Sequence, residues 1–175
     1  MKKFISLLLV TVLALSLFAA CGKDEGGAQG ADLSGLTAEA LIGKIYETVM
    51  PEFSLNTMTI DLADADSVSW LTGISDPALL SDAAISEPMM SSQAYSMVLV
   101  RVADAAKAEE VAQTMLDNIN PAKWVCVEAD DIDAAIYGDL VLFVMINSEF
   151  GIPAADFVGT FKTLAGGALD KEYTK

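Results

Sequence analysis

Histidine is absent from this 175-residue chain, so the side chains that could do chemistry reduce to two cysteines, two carboxylate clusters and a few thioethers. Without imidazole, Ser-His-Asp and Cys-His catalysis, the commonest zinc sites and a neutral-pH histidine switch are excluded. Cys126 sits in Trp124-Val125-Cys126-Val127. A nucleophilic role would need a base or a cation beside it. Glu128, Asp130 and Asp131 follow instead and disfavour the thiolate, so a buried, inert thiol is expected. The clusters Asp61, Asp64, Asp66 and Glu128, Asp130, Asp131, Asp133 could attract calcium, which wants several oxygens converging on one loop. Neither has the Asp-x-Asp-x-Asp-Gly ladder, so a solvated acidic surface is the expectation. Calcium binding and two-carboxylate hydrolysis of a glycan stand as alternatives. Met89, Met90 and Met97 could offer thioethers to cuprous ion, but methionine is an ordinary core filler and core packing is expected. The same holds for Trp70, Trp124 and Tyr95, which could otherwise line a ligand groove. Arg101 interrupts an apolar run. Either its stem packs and its head reaches solvent, which is the expectation, or it is the buried partner of a carboxylate. No Gly-x-Ser-x-Gly, phosphate loop, dinucleotide fingerprint or Cys-x-x-Cys occurs. No catalytic residue, cofactor or metal is expected.

The other cysteine has a different setting. Lys2-Lys3 precede an apolar run over residues 4–20, broken only by Ser6, Thr11 and Ser16, and Ala19-Ala20 lead into Cys21-Gly22. A basic start, an apolar middle and small residues before a cut are the layout of a secretory signal peptide. Ending on cysteine, the segment resembles a lipoprotein signal. That resemblance implies that the Cys21 thiol takes a diacylglycerol and becomes the new N-terminus. Such signals favour Leu, Val or Ile three residues before the cysteine, where this chain has Phe18 after Leu17. The alternatives are plain secretion or an uncleaved anchor, for which 17 apolar residues is the short limit. Residues 22–32 carry four glycines and nothing apolar larger than alanine. They read as a tether between residues 21 and 32 with a reach of ~20 Å.

Charge narrows the partners. The chain has 10 Lys plus Arg against 25 Asp plus Glu; without Lys2 and Lys3 the balance is 8 against 25, a net of −17. Such a domain repels phosphate backbones and anionic headgroups, which excludes nucleic-acid binding and docking through a basic patch.

The remaining residues, 33–175, are long enough for one domain with its own core. Thr37 caps a helix predicted over 37–50, stopped by Pro51, with Leu41, Ile42, Ile45, Tyr46 and Val49 on one face. Alternation over 54–62 predicts a strand with Met58, Ile60 and Leu62 on its inner side. A helical turn fits 65–71, and 73–93 is rich in turns with a short strand near 83–86. Residues 95–102 (YSMVLVRV) form a central strand. Asp104 caps a helix to Ile119, with Ala108, Val111, Ala112, Met115 and Ile119 inward. Residues 132–137 and 140–146 form a hairpin around Gly138-Asp139. Pro153 opens a last helix with Phe157, Phe161, Leu164 and Ala165 on one face, and residues 170–175 read as a frayed tail. The fold class is α+β: one domain, a mixed or mainly antiparallel sheet of four to five strands, helices packed against it.

Several stretches together resemble an uncharacterised lipoprotein domain family of Gram-positive bacteria. They are the secretory cysteine with its Gly-rich tether, Trp70-Leu71-Thr72-Gly73-Ile74, Glu87-Pro88-Met89-Met90, Val98-Leu99-Val100-Arg101-Val102-Ala103-Asp104 and Tyr137-Gly138-Asp139-Leu140-Val141-Leu142-Phe143-Val144. The resemblance spans about residues 37–150 and implies an envelope location; it carries over no functional residue. The expected function is a membrane-anchored, extracytoplasmic, non-enzymatic binding or accessory module, held by lipidated Cys21 and engaging a protein or small ligand of the envelope. An acidic cation-binding module and a carboxylate-dependent envelope enzyme are the alternatives.

Overall fold

The computed structural model describes residues 30–175. The apolar segment 4–20, the expected lipid-attachment residue Cys21 and the expected tether up to residue 29 lie outside the described residues. Four helices and a six-stranded sheet form one α+β unit. In chain order these are α1 (Ala38–Tyr46), β1 (Leu55–Thr59), α2 (Ala65–Thr72), β2 (Leu80–Pro88), β3 (Tyr95–Val102), α3 (Ala108–Asn118), β4 (Asp131–Tyr137), β5 (Leu140–Ile146), α4 (Ala154–Leu164) and β6 (Lys171–Thr174). The sheet order is β1-β2-β3-β5-β4-β6, and every neighbouring pair is antiparallel.

Helices on both faces explain why β3 and β5 are apolar along their whole length. Val98, Val100, Val141, Phe143 and Met145 face α3 and α2 in one core. Met97, Leu99, Leu142, Val144 and Ile146 face α1 and α4 in a second core with Phe157 and Phe161. Side chains alternate along a strand, so each strand feeds both cores. The hairpin forms as expected: Tyr137 pairs with Leu140 across a two-residue turn whose first residue, Gly138, has φ +59°. The inward stripe of α3 is buried throughout, and Asp104 caps a short 3-10 turn leading into it.

Departures from the expected elements have identifiable causes, some in the local backbone and some in tertiary partners. Helix α1 stops at Tyr46 rather than residue 50, because the N–H groups of Thr48 and Val49 both return to Ile45 O and the residue before Pro51 disfavours helix. Strand β2 has nine residues, where a short strand was expected. Its pattern is masked by Asp82, whose carboxylate accepts a 2.7 Å bond from Ala38 N at the start of α1, and by a bulge between Leu80 and Asp82. Ile60 and Leu62 join the core as expected, but Met58 lies exposed on edge strand β1. The expected frayed tail is instead β6, which pairs with β4 from Asp133↔Thr174 to Ile136↔Lys171. Lys-Glu-Tyr-Thr has no apolar alternation, so only its partner strand reveals it.

Candidate functional site

The chain entering from residue 30 is bonded to the turn end of the sheet. Arg101 makes most of that attachment. Its Nη1 lies 2.7 Å from both carboxylate oxygens of Asp139, and its Nη2 donates to Leu33 O and Leu36 O at 3.0 Å. The side chain is only 14% exposed, so the solvent-reaching arginine of the sequence reading is replaced by its alternative, a buried carboxylate partner. Tyr137 Oη donates to Ala31 O at 2.7 Å, and Ala31 N donates to Ala165 O. The attached run therefore includes residues 31 and 32, which composition had placed in the tether.

The opposite end of the same strands carries the exposed apolar side chains. Beyond Pro88 at the end of β2, Met89 and Met90 are exposed, as are Val125 and Cys126 in the loop between α3 and β4. Val125 N donates to Ser91 O, which ties the two loops together. Three expectations are corrected here. Cys126 is not buried; it is exposed with φ +62°, since it lies in an irregular loop and not in a strand. Met89 and Met90 do not fill the core, whereas Met97 does. Trp70 is 66% exposed, while Trp124 is partly buried and Tyr95 fully. Val68 and Thr72 are the buried positions of α2, and Trp70, two residues from each, must point the other way. That spacing is readable in the sequence and could have placed the indole outside.

Four of the clustered carboxylates, Asp61, Asp64, Asp130 and Asp131, hold backbone. Asp61 accepts from Ala63 N, and Asp64 caps α2 through Ser67 N, which lowers its pKa. Asp130 accepts from the N–H and hydroxyl of Ser148, which lowers its pKa as well, and Asp131 accepts from Ala154 N at the start of α4. No group of three or more His, Cys, Asp or Glu able to hold a metal exists among the described residues. Asp133 is the exception to satisfaction: it is buried and its Oδ1 has no partner. Burial raises its pKa most, the neighbouring Asp131 and Glu172 charges add to the rise, and a Thr174 hydrogen bond opposes it. The fold thus binds that proton more tightly than the unfolded chain does. A cost to stability appears as pH climbs through the carboxylate range and is absent below it. Asp133→Asn is expected to raise stability at pH 7 by about 1 kcal/mol, roughly 3 °C in Tm. The gain closes on acidification in a thermal-melt series; a gain that persists unchanged at pH 3 contradicts the assignment.

Beside the apolar end runs a polar groove of about 290 Å³, lined by Asp66, Ser69 and Trp70 of α2 on one wall and by Asn118, Asn120 and Lys123 on the other. Lys123 is its anchored residue, with a side chain only 6% exposed. It is ion-paired to Glu87 at the end of β2, and its Nζ donates to Ser96 Oγ at 3.3 Å. Asn118 Nδ2 donates to Gly73 O, and Asn120 Oδ1 accepts from Ala122 N, so one polar atom of each amide remains available. Among the described residues, Asp66, Ser69 and the Trp70 indole N–H make no side-chain hydrogen bond. A larger hollow of about 430 Å³ between the end of α1 and α4 is lined by three threonines, Asp156, Val49, Leu164 and small residues, with no aromatic side chain and no cation. Of the groove, the sequence had offered Trp70 as a possible ligand-groove aromatic, with core packing expected instead, and Asp66 as part of a carboxylate cluster.

Protein-family models, curated proteins and solved structures were each compared with the chain, and none matches it. No helix among the described residues is long and apolar enough to cross a membrane.

Proposed function

We propose that this chain is a lipoprotein of the extracytoplasmic membrane face, attached through acylated Cys21, and that its domain is a non-enzymatic binding or accessory module. One observation supports it above others: the chain from Cys21 joins the domain at the Arg101–Asp139 end, whereas the groove and the exposed Met89, Met90 and Val125 lie at the other. Anchored that way, the domain turns its free polar and apolar groups outward, where a partner in the envelope reaches them. The resemblance to envelope lipoprotein domains agrees with this location. The strong negative charge favours standoff from anionic headgroups.

The attachment rests on one thiol. Acyl chains contribute ~0.8 kcal/mol per buried methylene, so a doubly acylated cysteine holds a protein on the membrane. Cys21→Ser is expected to move the protein out of washed membranes, measured by fractionation with wild type alongside. A variant that still fractionates with lipid at full length overturns the anchoring.

A further inference from the structure

Within the binding-module reading, on which this rests, we propose that the groove between α2 and the C-terminal end of α3 binds a neutral or N-acetylated saccharide, stacked on Trp70. A hexose ring has an apolar face of C–H groups and a rim of hydroxyls, and a site for it needs an aromatic surface surrounded by mixed donors and acceptors. The groove supplies both. Trp70 offers an exposed indole, whose negative face attracts polarised C–H groups. Asp66 supplies carboxylate acceptors, Ser69 a hydroxyl and Asn118 its free Oδ1. Asn120 offers its free amide N–H groups. The Lys123 ammonium is held by Glu87, Ser96 and the Trp124 ring, so it fixes the wall rather than donating to a ligand. The polar residues are set on helices or fixed by bonds to the frame: Asn118 to Gly73, Lys123 to two strands. Such fixing limits the ordering cost of binding.

Charge selects the class. Lys123 is matched by Glu87, and Asp66 stands in the wall, so no net positive charge remains for a phosphate, sulfate or uronate. A nucleotide could stack on the indole, but its phosphates would meet a domain of net charge −17 once Lys2 and Lys3 are left out of the 10 basic residues against 25 acids. A peptide would want an apolar pocket, and the groove has none beyond the indole. The volume of about 290 Å³ suits one ring with its substituents, so the contact is to a single unit of a longer glycan.

The test uses the acylated, ¹⁵N-labelled chain in micelles of a sugar-free detergent, titrated with cellotriose, maltotriose and N,N′,N″-triacetylchitotriose. The chain has two tryptophans, and Trp70→Ala assigns their indole N–H resonances. At least one trisaccharide is expected to shift the Trp70 resonance saturably, with Kd about 1 mM. Trp70→Ala is expected to weaken binding at least tenfold, roughly the effect of an aromatic contact plus its buried area, and Asp66→Asn about threefold. Both positions are exposed, so the fold survives and its unchanged amide spectrum confirms that. No shift with any of the three sugars up to about 20 mM, a range that covers weak binding, overturns the proposal. So does a shift confined to Trp124, or equal response to inorganic phosphate. None of these results bears on membrane attachment, which Cys21→Ser tests separately, and a partner captured through Met89 and Met90 would leave the module reading intact while the saccharide fails.

Discussion

Arg101→Ala is expected to destabilise the domain by about 3 kcal/mol and to lower Tm by roughly 10 °C. The side chain closes the junction between the entering chain and the sheet with four short contacts, two to Asp139 and two to the carbonyls of Leu33 and Leu36. Truncation strips those carbonyls of their donor and leaves Asp139 without its countercharge. Each orphaned, partly buried polar group costs about 1–3 kcal/mol, and the exposure of Asp139 keeps the total below that of a fully buried pair. Lysine does not rescue: one ammonium cannot reach a carboxylate and two separate carbonyls at once, so Arg101→Lys is expected to recover less than half of the loss. Urea unfolding measures the energy. Hydrogen exchange locates it, since the Ala31 and Leu36 amides, which donate to Ala165 O and Leu33 O, are expected to exchange faster. A loss under about 1 kcal/mol, within the range of a surface ion pair, would show that the junction is held by Tyr137 and the core alone.

Arg101 also shows how far the sequence carries. Its position in an apolar strand was legible, and so were the two outcomes open to it. What decides between them is Asp139, which lies in the turn of the partner hairpin and meets Arg101 only through the β3–β5 register, Arg101↔Leu140. Elements dominated by local chemistry were legible: β3 to the residue from its β-branched run, the hairpin from Gly138-Asp139 to within one residue, and α3 from its stripe, though a 3-10 turn takes the first residues after Asp104. Elements dominated by tertiary partners were not. Strand β6 exists because β4 offers an edge, and β2 keeps Asp82 because a helix start needs an acceptor. The groove falls in the second class. Hydrophobicity places an average tryptophan or methionine inside, yet Trp70, Met89, Met90 and Cys126 sit on a helix face or in loops that no layer covers. The helical offset from Val68 would have exposed Trp70; nothing local brings Asn118, Asn120 and Lys123 to it, because that approach depends on α3 ending beside Gly73 and on Lys123 reaching Glu87.

The two-core construction leads to the largest effect. Phe143→Ala is expected to cost about 4 kcal/mol, near the middle of the range for a large buried ring. The ring lies on central strand β5 between Val98 of β3 and Ala134 of β4, under an α3 whose inner face includes Ala108 and Ala112. Hydrogen-bonded strands on both sides keep the sheet from closing the hole. Such a loss is a large part of the stability of an ordinary domain, so chemical denaturation of Phe143→Leu, at about 1 kcal/mol, supplies the milder measurement. Phe157 fills the other core, with its ring 5.6 Å from that of Tyr95. Because the sheet separates the two rings, Phe143→Leu and Phe157→Leu are expected to add to within about 0.5 kcal/mol. Near-additivity follows only if each core relaxes on its own side of a stiff sheet. A coupling above about 1 kcal/mol would mean that strain at Phe143 crosses β5 to α4, and the domain would then behave as one core rather than two.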